Sequence, residues 1–356
     1  MLLKINFNKK KNILIVMLFF LFIISLLSIT LGPVEISLKQ MKDIILYNMG
    51  LTANNDSFSQ IHKTVFLDIR LPRIVLAILV GLGLGTSGAI LQGLFRNPLV
   101  DPGFIGVSSG AAVGAMITIM FGIYLNNFIP SYLSSFMLPI LAMAGAFLTT
   151  MMVYKMSKVA NKTNIMAMLL SGIAINALSG SIIGLFVSIS SDSELRSFTF
   201  WTLGGLDMAD WNIAMITSLF VFIPFLIIYK MQSQMDIFML GDAESEHLGI
   251  NVESLKKKII LIASIMVGVS VSFCGMIGFI GLVTPHLIRL FIGPNHKYLI
   301  PGSAILGAIL LIVSDIISKT IIAPAQLPIG VVTSAIGAPF FIWLIINQKR
   351  RISYAQ

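Results

Sequence analysis

The chain has 356 residues, of which 56% are hydrophobic and only 11% charged, with a formal net charge of +9. Soluble globular chains carry about 25% charged residues, so the composition excludes an ordinary water-soluble domain. A single cysteine, Cys274, excludes an internal disulfide and a paired-cysteine metal site.

Lys9, Lys10 and Lys11 precede the first apolar run, 13–31. That run exceeds a signal-peptide core of about 7–15 residues and no small-residue cleavage site follows, so it reads as a retained first helix. Segment 32–69 is too polar to cross a bilayer. Within it, 37–49 sets Leu38, Met41, Ile44, Ile45 and Tyr47 against Lys39, Lys42 and Asp43, the pattern of a short helix lying on the membrane surface. Runs suited to a hydrocarbon core of about 30 Å follow at 71–95, 103–125, 132–154, 165–188, 211–231, 258–276, 278–292, 299–320 and 327–347. Few soluble stretches interrupt them, so 1–356 reads as one all-α membrane domain of about ten transmembrane helices. Gly275, Gly278 and Gly281 break the seventh and eighth runs, and the eighth is too short to cross without help from neighbours. Between the sixth and seventh runs, 239–252 reads MLGDAESEHLGINV: acidic, helix-forming at its centre, with Gly249 as its cap.

An even number of spans puts both termini on one side. If that side is the cytoplasm, most of the 24 Lys and Arg fall inside: Lys4, Lys9, Lys10, Lys11, Arg96, Lys155, Lys158, Lys162, Lys230, Lys256, Lys257, Lys258, Arg289, Lys297, Lys349, Arg350 and Arg351. This is the bias of the positive-inside rule. The basic balance therefore reports topology in a lipid bilayer and not a nucleic-acid surface.

Glycines four residues apart, Gly81 and Gly85, then Gly106, Gly110 and Gly114, then Gly180 and Gly184, place small residues on one helix face and predict close helix packing. No phosphate-binding GxxxxGK[ST] loop and no HExxH occur, so the chain has neither a nucleotide site of that kind nor that zinc site. Residues 106–110 spell GxSxG, yet they lie in a helical span without an evident histidine partner, which makes a nucleophile elbow a false match. His286 beside Pro285 reads as structural, and the 20 methionines are scattered as apolar filling. No metal site, cofactor or catalytic group emerges. Asp315, within the ninth run, is a functional hypothesis by default; a structural pair with Lys319 four residues on is the alternative.

Four blocks now matter together. They are RLPRIVLAILVGLGLGTSGAILQGLFRNPLVDPGFIGVSSGAAVGA from Arg70, LRSFTFWTLGGLDMADW from Leu195, GDAESEHLGINV from Gly241, and the pair GFIGLVTPHLIRL and LPIGVVTSAIGAPFFIWL from Gly278 and Leu327. Their order and content resemble the FecCD family of permeases for ferric siderophores, heme and cobalamin, over nearly everything after about residue 35. The resemblance implies the type II importer bundle of ten helices in the cytoplasmic membrane with both termini cytoplasmic. It implies a dimer with a second permease subunit, cytoplasmic ATPase subunits and an external substrate-binding protein. The chain itself is then no enzyme.

By the same resemblance, Gly241, Asp242, Ala243, Glu244, Ser245, Glu246, His247, Leu248 and Gly249 form the segment that couples to the ATPase. Thr163 and Asn164 fall near the cytoplasmic gate. Arg70, Arg73 and Lys319 match basic positions that receive acidic residues of the binding protein. Lys319 stands where a cobalamin permease of the family has arginine; it keeps the charge and loses the bidentate fork. Arg70 and Arg73 equally fit an interfacial anchor of the second helix. A ferric siderophore is the expected cargo, with heme or cobalamin as alternatives. An ion-coupled secondary transporter is the rival class, disfavoured because no inverted repeat is evident.

Overall fold

The computed structural model describes residues 7–353 except 53–56, 126, 128 and 129. Lys4 and part of segment 32–69 lie outside the described residues. The elements in order are α1 (Phe7–Thr30), α2 (Leu38–Asn48), α3 (Gln60–Thr64), α4 (Leu71–Leu94), α5 (Val107–Leu125) and α6 (Met137–Met156). A two-stranded hairpin follows, β1 (Lys158–Val159) and β2 (Lys162–Thr163), leading into α7 (Ile165–Ile189) and α8 (Asp192–Leu203). Then come α9 (Trp211–Lys230), α10 (Gln232–Phe238), α11 (Asp242–His247), α12 (Val252–Cys274), α13 (Ile280–Phe291), α14 (His296–Thr320) and α15 (Ile329–Ser353). Among the described residues, 8 helices are long and apolar enough to cross a membrane, and two shorter apolar helices, Ile280–Phe291 and Ile329–Trp343, complete the expected set.

Polar caps set the helix starts. Ser37 and Gln40 form the capping box of α2, and Ile44 on its inner face is fully buried. The Asp210 carboxylate accepts from Ile213 N at 2.6 Å to start α9, and Asn251 Oδ1 accepts from Ser254 N at 2.9 Å to start α12. Several boundaries differ from expectation. The helix behind the 258–276 run begins at Val252, where Asn251 caps it, and Lys256 in its second turn reaches Asp242 and the Thr163 carbonyl. The 103–125 span begins as a 3-10 turn, Pro102–Ile105, stopped by Gly106 at φ +81, and only then becomes α5. The polar helix α8 went unanticipated, although Ser191 and Glu194 spell its capping box.

Helix α4 is the centre of the bundle: 83% of its apolar window is buried, against 17% for α7 and 11% for α1. Its glycines explain this. A Cβ on Gly85 would lie 2.2 Å from Ser303 O of α14, and one on Gly88 would lie 1.8 Å from Gly281 O of α13. Backbones this close leave room only for hydrogen, as expected where van der Waals packing rather than hydrophobic burial joins helices in lipid. Gly110 and Gly114 bring α5 against α6 in the same way. The third stripe is a correction: nothing lies within 4 Å of a Cβ on Gly180 or Gly184, so that face of α7 is open within this chain. Large apolar side chains point outward from the rim, such as Phe19 at 64% and Phe22 at 60% exposure on α1, which suits contact with lipid.

Candidate functional site

The end of the bundle that carries α11 holds a cluster built from four parts of the chain. Helix α11 ends in a Schellman motif: Ile250 N donates to Ser245 O at 3.0 Å, Gly249 N donates to Glu246 O at 3.0 Å, and Gly249 takes φ +84. The predicted cap is thus in place. Ser245 is buried and its hydroxyl donates to Ile237 O at 3.1 Å, which folds α11 back on α10. The outward face mixes Glu244, Glu246 and His247 with exposed Leu240 and Leu248, at 63% and 60%.

Asp242 anchors this unit. Its Oδ2 accepts from Lys256 Nζ at 2.7 Å and its Oδ1 from Arg96 at 2.6 Å. Arg96, at φ +49 just after α4, also donates to Phe238 O at 2.8 Å and lies over the Phe238 ring at 4.3 Å. Partial burial pushes the Asp242 pKa up, but hydrogen bonds from Lys256 and Arg96, with their charges, hold it below the ordinary carboxylate value. On the far side of α10, Asp236 Oδ1 meets His296 Nδ1 at 2.6 Å and the His296 amide at 2.9 Å, fixing α10 to the first turn of α14.

The hairpin adjoins this unit. Ala160 at φ +48 and Asn161 at φ +62 make a two-residue turn with both central residues left-handed, the type that matches strand twist. Thr163 is buried; its amide and hydroxyl donate to Glu253 Oε2 at 2.8 Å and 2.7 Å, and its carbonyl accepts from Lys256 Nζ at 3.0 Å. Asn164 Oδ1 accepts from Ala167 N at 2.9 Å and caps α7. The structure therefore brings Thr163, Asn164 and Asp242 into one neighbourhood, through Lys256 and Glu253, which sequence reading missed. The available signal was a lysine and a glutamate three apart, just before an apolar run.

The three cations expected at a docking face all bond within the chain at the opposite end. Arg70 is buried and donates to the carbonyls of Ile29 and Val34. Arg73 Nε donates to Asp315 at 2.8 Å, and its other nitrogens reach Asp207 and Gln326 at 3.0 Å each. Lys319 pairs with Asp315 at 3.4 Å and donates to Ser28 O and Oγ at 2.9 Å. The Asp315–Lys319 pair is present as one of the two readings had it, and Arg73 joins it from 242 positions away.

Between these ends a cavity of about 410 Å³ opens beside α5 and α7, lined by Asp101, Ser108, Ser109, Asn176, Gly180 and Met276. Ser109 Oγ donates to Asn176 Oδ1 at 2.6 Å, and Asn176 Nδ2 donates to Gly103 O at 3.2 Å. The serines of the false GxSxG match thus add polar groups to a mostly apolar hollow at a helix start, where no strand precedes them. Among the described residues, no three His, Cys, Asp or Glu side chains gather as a metal-binding group.

A bundle of membrane-length apolar helices with a folded helical segment between α9 and α12 has counterparts among known proteins. The model of the FecCD transport family matches residues 18–347. This chain belongs to the FecCD transport family. It is 40% identical to the hemin transport system permease protein HmuU of Yersinia pestis over 95% of this chain and 96% of that protein. It is 37% identical to the vitamin B12 import system permease protein BtuC of Citrobacter koseri, over 84% and 88% of the two chains. A solved inward-facing ABC transporter assigned to the metal-chelate type superposes with a TM-score of 0.81 at 28% identity, over 95% of this chain and 99% of that one. As a FecCD chain, the protein is a multi-pass membrane permease and a transport subunit of an ABC importer.

Proposed function

We propose that this permease imports an iron chelate across the cytoplasmic membrane, powered by ATPase subunits held at α11 and supplied by an external binding protein at the opposite end. The observation that carries the substrate class is the 40% identity to a hemin permease over nearly the whole of both chains, which favours heme within that class. The likeness to a transporter of the metal-chelate type keeps a ferric siderophore as the second reading. The acidic and apolar surface of α11 offers an ATPase both charge and exposed leucine side chains. The cytoplasm is assigned to the α11 end because Lys158, Lys162, Lys257, Lys258 and Arg96 gather there. The open face of α7 fits a second permease subunit across the passage. For docking, Arg73 is the strongest of the three expected residues. Its partner Asp207 is 71% exposed, so an acidic residue of a binding protein could exchange with it, whereas Arg70 and Lys319 have buried acceptors.

The test is uptake by a deletion strain carrying this chain, offered radio-iron as hemin and as ferric siderophores, with labelled cobalamin alongside. Uptake of hemin alone supports the first reading, siderophore uptake replaces it with the second, and cobalamin uptake without iron rejects the iron class.

A further inference from the structure

Three elements meet at one ammonium group. Lys256 Nζ donates to Asp242 Oδ2 on α11 at 2.7 Å and to the Thr163 carbonyl on β2 at 3.0 Å, and lies 3.4 Å from Glu253 Oε1 on its own helix. An ammonium has three protons in tetrahedral array, and each has an acceptor here. The lysine is 2% exposed and its bond to the Thr163 carbonyl is buried, while Asp242 and Glu253 keep one side toward solvent, which screens the two ionic contacts in part. Glu253 closes the ring by accepting from the Thr163 amide and hydroxyl. A second, exposed link runs parallel: Lys162 on β2 lies 3.7 Å from Glu246 on α11. The hairpin has no slack, since its turn is two residues long, and the next residue, Asn164, caps α7. Packing alone does not require a charge at this position; an apolar residue would fill it without desolvation cost.

We propose that Lys256 is a positioning residue that carries displacement of α11 to the 158–163 hairpin, and through it to the first turn of α7. The proposal rests on reading α11 as the ATPase contact. Force applied to α11 can bias the passage only through an element that holds different contacts in its two positions. The Asp242–Lys256–Thr163 joint is such an element, because a shift of α11 either drags the lysine from the Thr163 carbonyl or takes the hairpin with it. Arginine is a poor substitute: its larger planar fork does not match a seat in which one nitrogen reaches three acceptors.

The importer is purified through a tag on this chain and reconstituted in liposomes, and ATP hydrolysis and radio-iron hemin uptake are measured together. Lys256→Met should leave the ATPase bound and hydrolysing, while uptake per ATP falls about tenfold, the size of the one charge-assisted hydrogen bond, to the Thr163 carbonyl, by which the lysine ties α11 to the hairpin; Lys256→Arg should recover part of it. Glu253→Gln keeps the lysine and its bonds to Asp242 and the Thr163 carbonyl while weakening the Glu253 contacts to Thr163 and Lys256, so it should give a smaller loss in the same ratio, and it serves if Lys256→Met does not fold. An unchanged ratio of uptake to hydrolysis in both variants overturns the proposal. Replacing 243–248 with a Gly/Ser linker tests the parent reading separately: if the ATPase still copurifies and is still stimulated, α11 is not its contact, whatever Lys256 does. If the wild-type importer takes up no hemin, the ferric siderophore selected by the uptake panel replaces it as probe.

Discussion

Asp315 holds two cations at once, Arg73 from α4 and Lys319 one turn along α14, and is itself 1% exposed. Removing one member of a buried ionic group leaves the others uncompensated, which costs about 3–5 kcal/mol. Asp315→Asn should therefore lower the yield and thermal midpoint of the detergent-purified permease markedly. Asp207→Asn, which removes only the exposed partner of Arg73, should cost about 0–1 kcal/mol and leave the midpoint nearly unchanged. Equal effects of the two substitutions would reject this ranking. At the other end, Asp242 gives a pH signature. Its folded pKa is depressed, so its charge stabilises the α11 joint above the unfolded carboxylate value of about 4 and that contribution fades as pH falls through the lowered value. The difference in thermal midpoint between wild type and Asp242→Asn should be constant from neutral pH to about pH 5 and shrink below about pH 4. A difference that grows on acidification would contradict the sign.

Helix packing separates glycines that a sequence motif treats alike. Gly88→Ala drives a methyl group into the Gly281 carbonyl and should displace α13 from α4, seen as poor membrane yield; Gly180→Ala enters open space and should fold normally. Normal yield for both would mean that the α4–α13 approach is looser than described. The regular spans were legible in the sequence because lipid selects for long apolar runs, and so were helix α2 and the cap of α11. What escaped has identifiable causes. Lys256 counts in the sequence only as one of the cytoplasmic cations, since a charge there carries no sign of acceptors contributed by Asp242 and Thr163. The union of Arg73 with Asp315 depends on α4 lying against α14, a consequence of glycine spacing in one helix meeting backbone in another. Helix α8 carries no long apolar run, so its Ser191–Glu194 capping box is the mark it leaves in the sequence. The cavity residues Ser108, Ser109 and Asn176 were visible only as isolated polar side chains in apolar spans.

For the molecule as a whole, orientation is the property to establish first. In a Cys274→Ala background, single cysteines at Lys158 and His247 should react with a membrane-impermeant maleimide only after permeabilisation, and one at Ser191 should react from outside. Ser245, though central to the proposed coupling segment, is buried and would be silent in either orientation. External labelling at His247 would invert the assignment of the α11 end. The attachment of α1 has a consequence for how the chain is made. This helix is the least enclosed of the long ones, and what fixes its end is a pair of cations seated on its last turn and the link just beyond: Arg70 on the carbonyls of Ile29 and Val34, Lys319 on Ser28. A helix C-terminus offers unpaired carbonyls and partial negative charge, so it is a natural seat for them. Yet Lys319 is synthesised 291 residues after Ser28. The hold from Arg70 is thus available early in synthesis and the one from Lys319 only near its end, and ribosome-bound chains arrested before residue 315 should leave Ser28 open to photocrosslinking with lipid or insertion machinery, a signal that disappears once α14 has followed it into the bilayer.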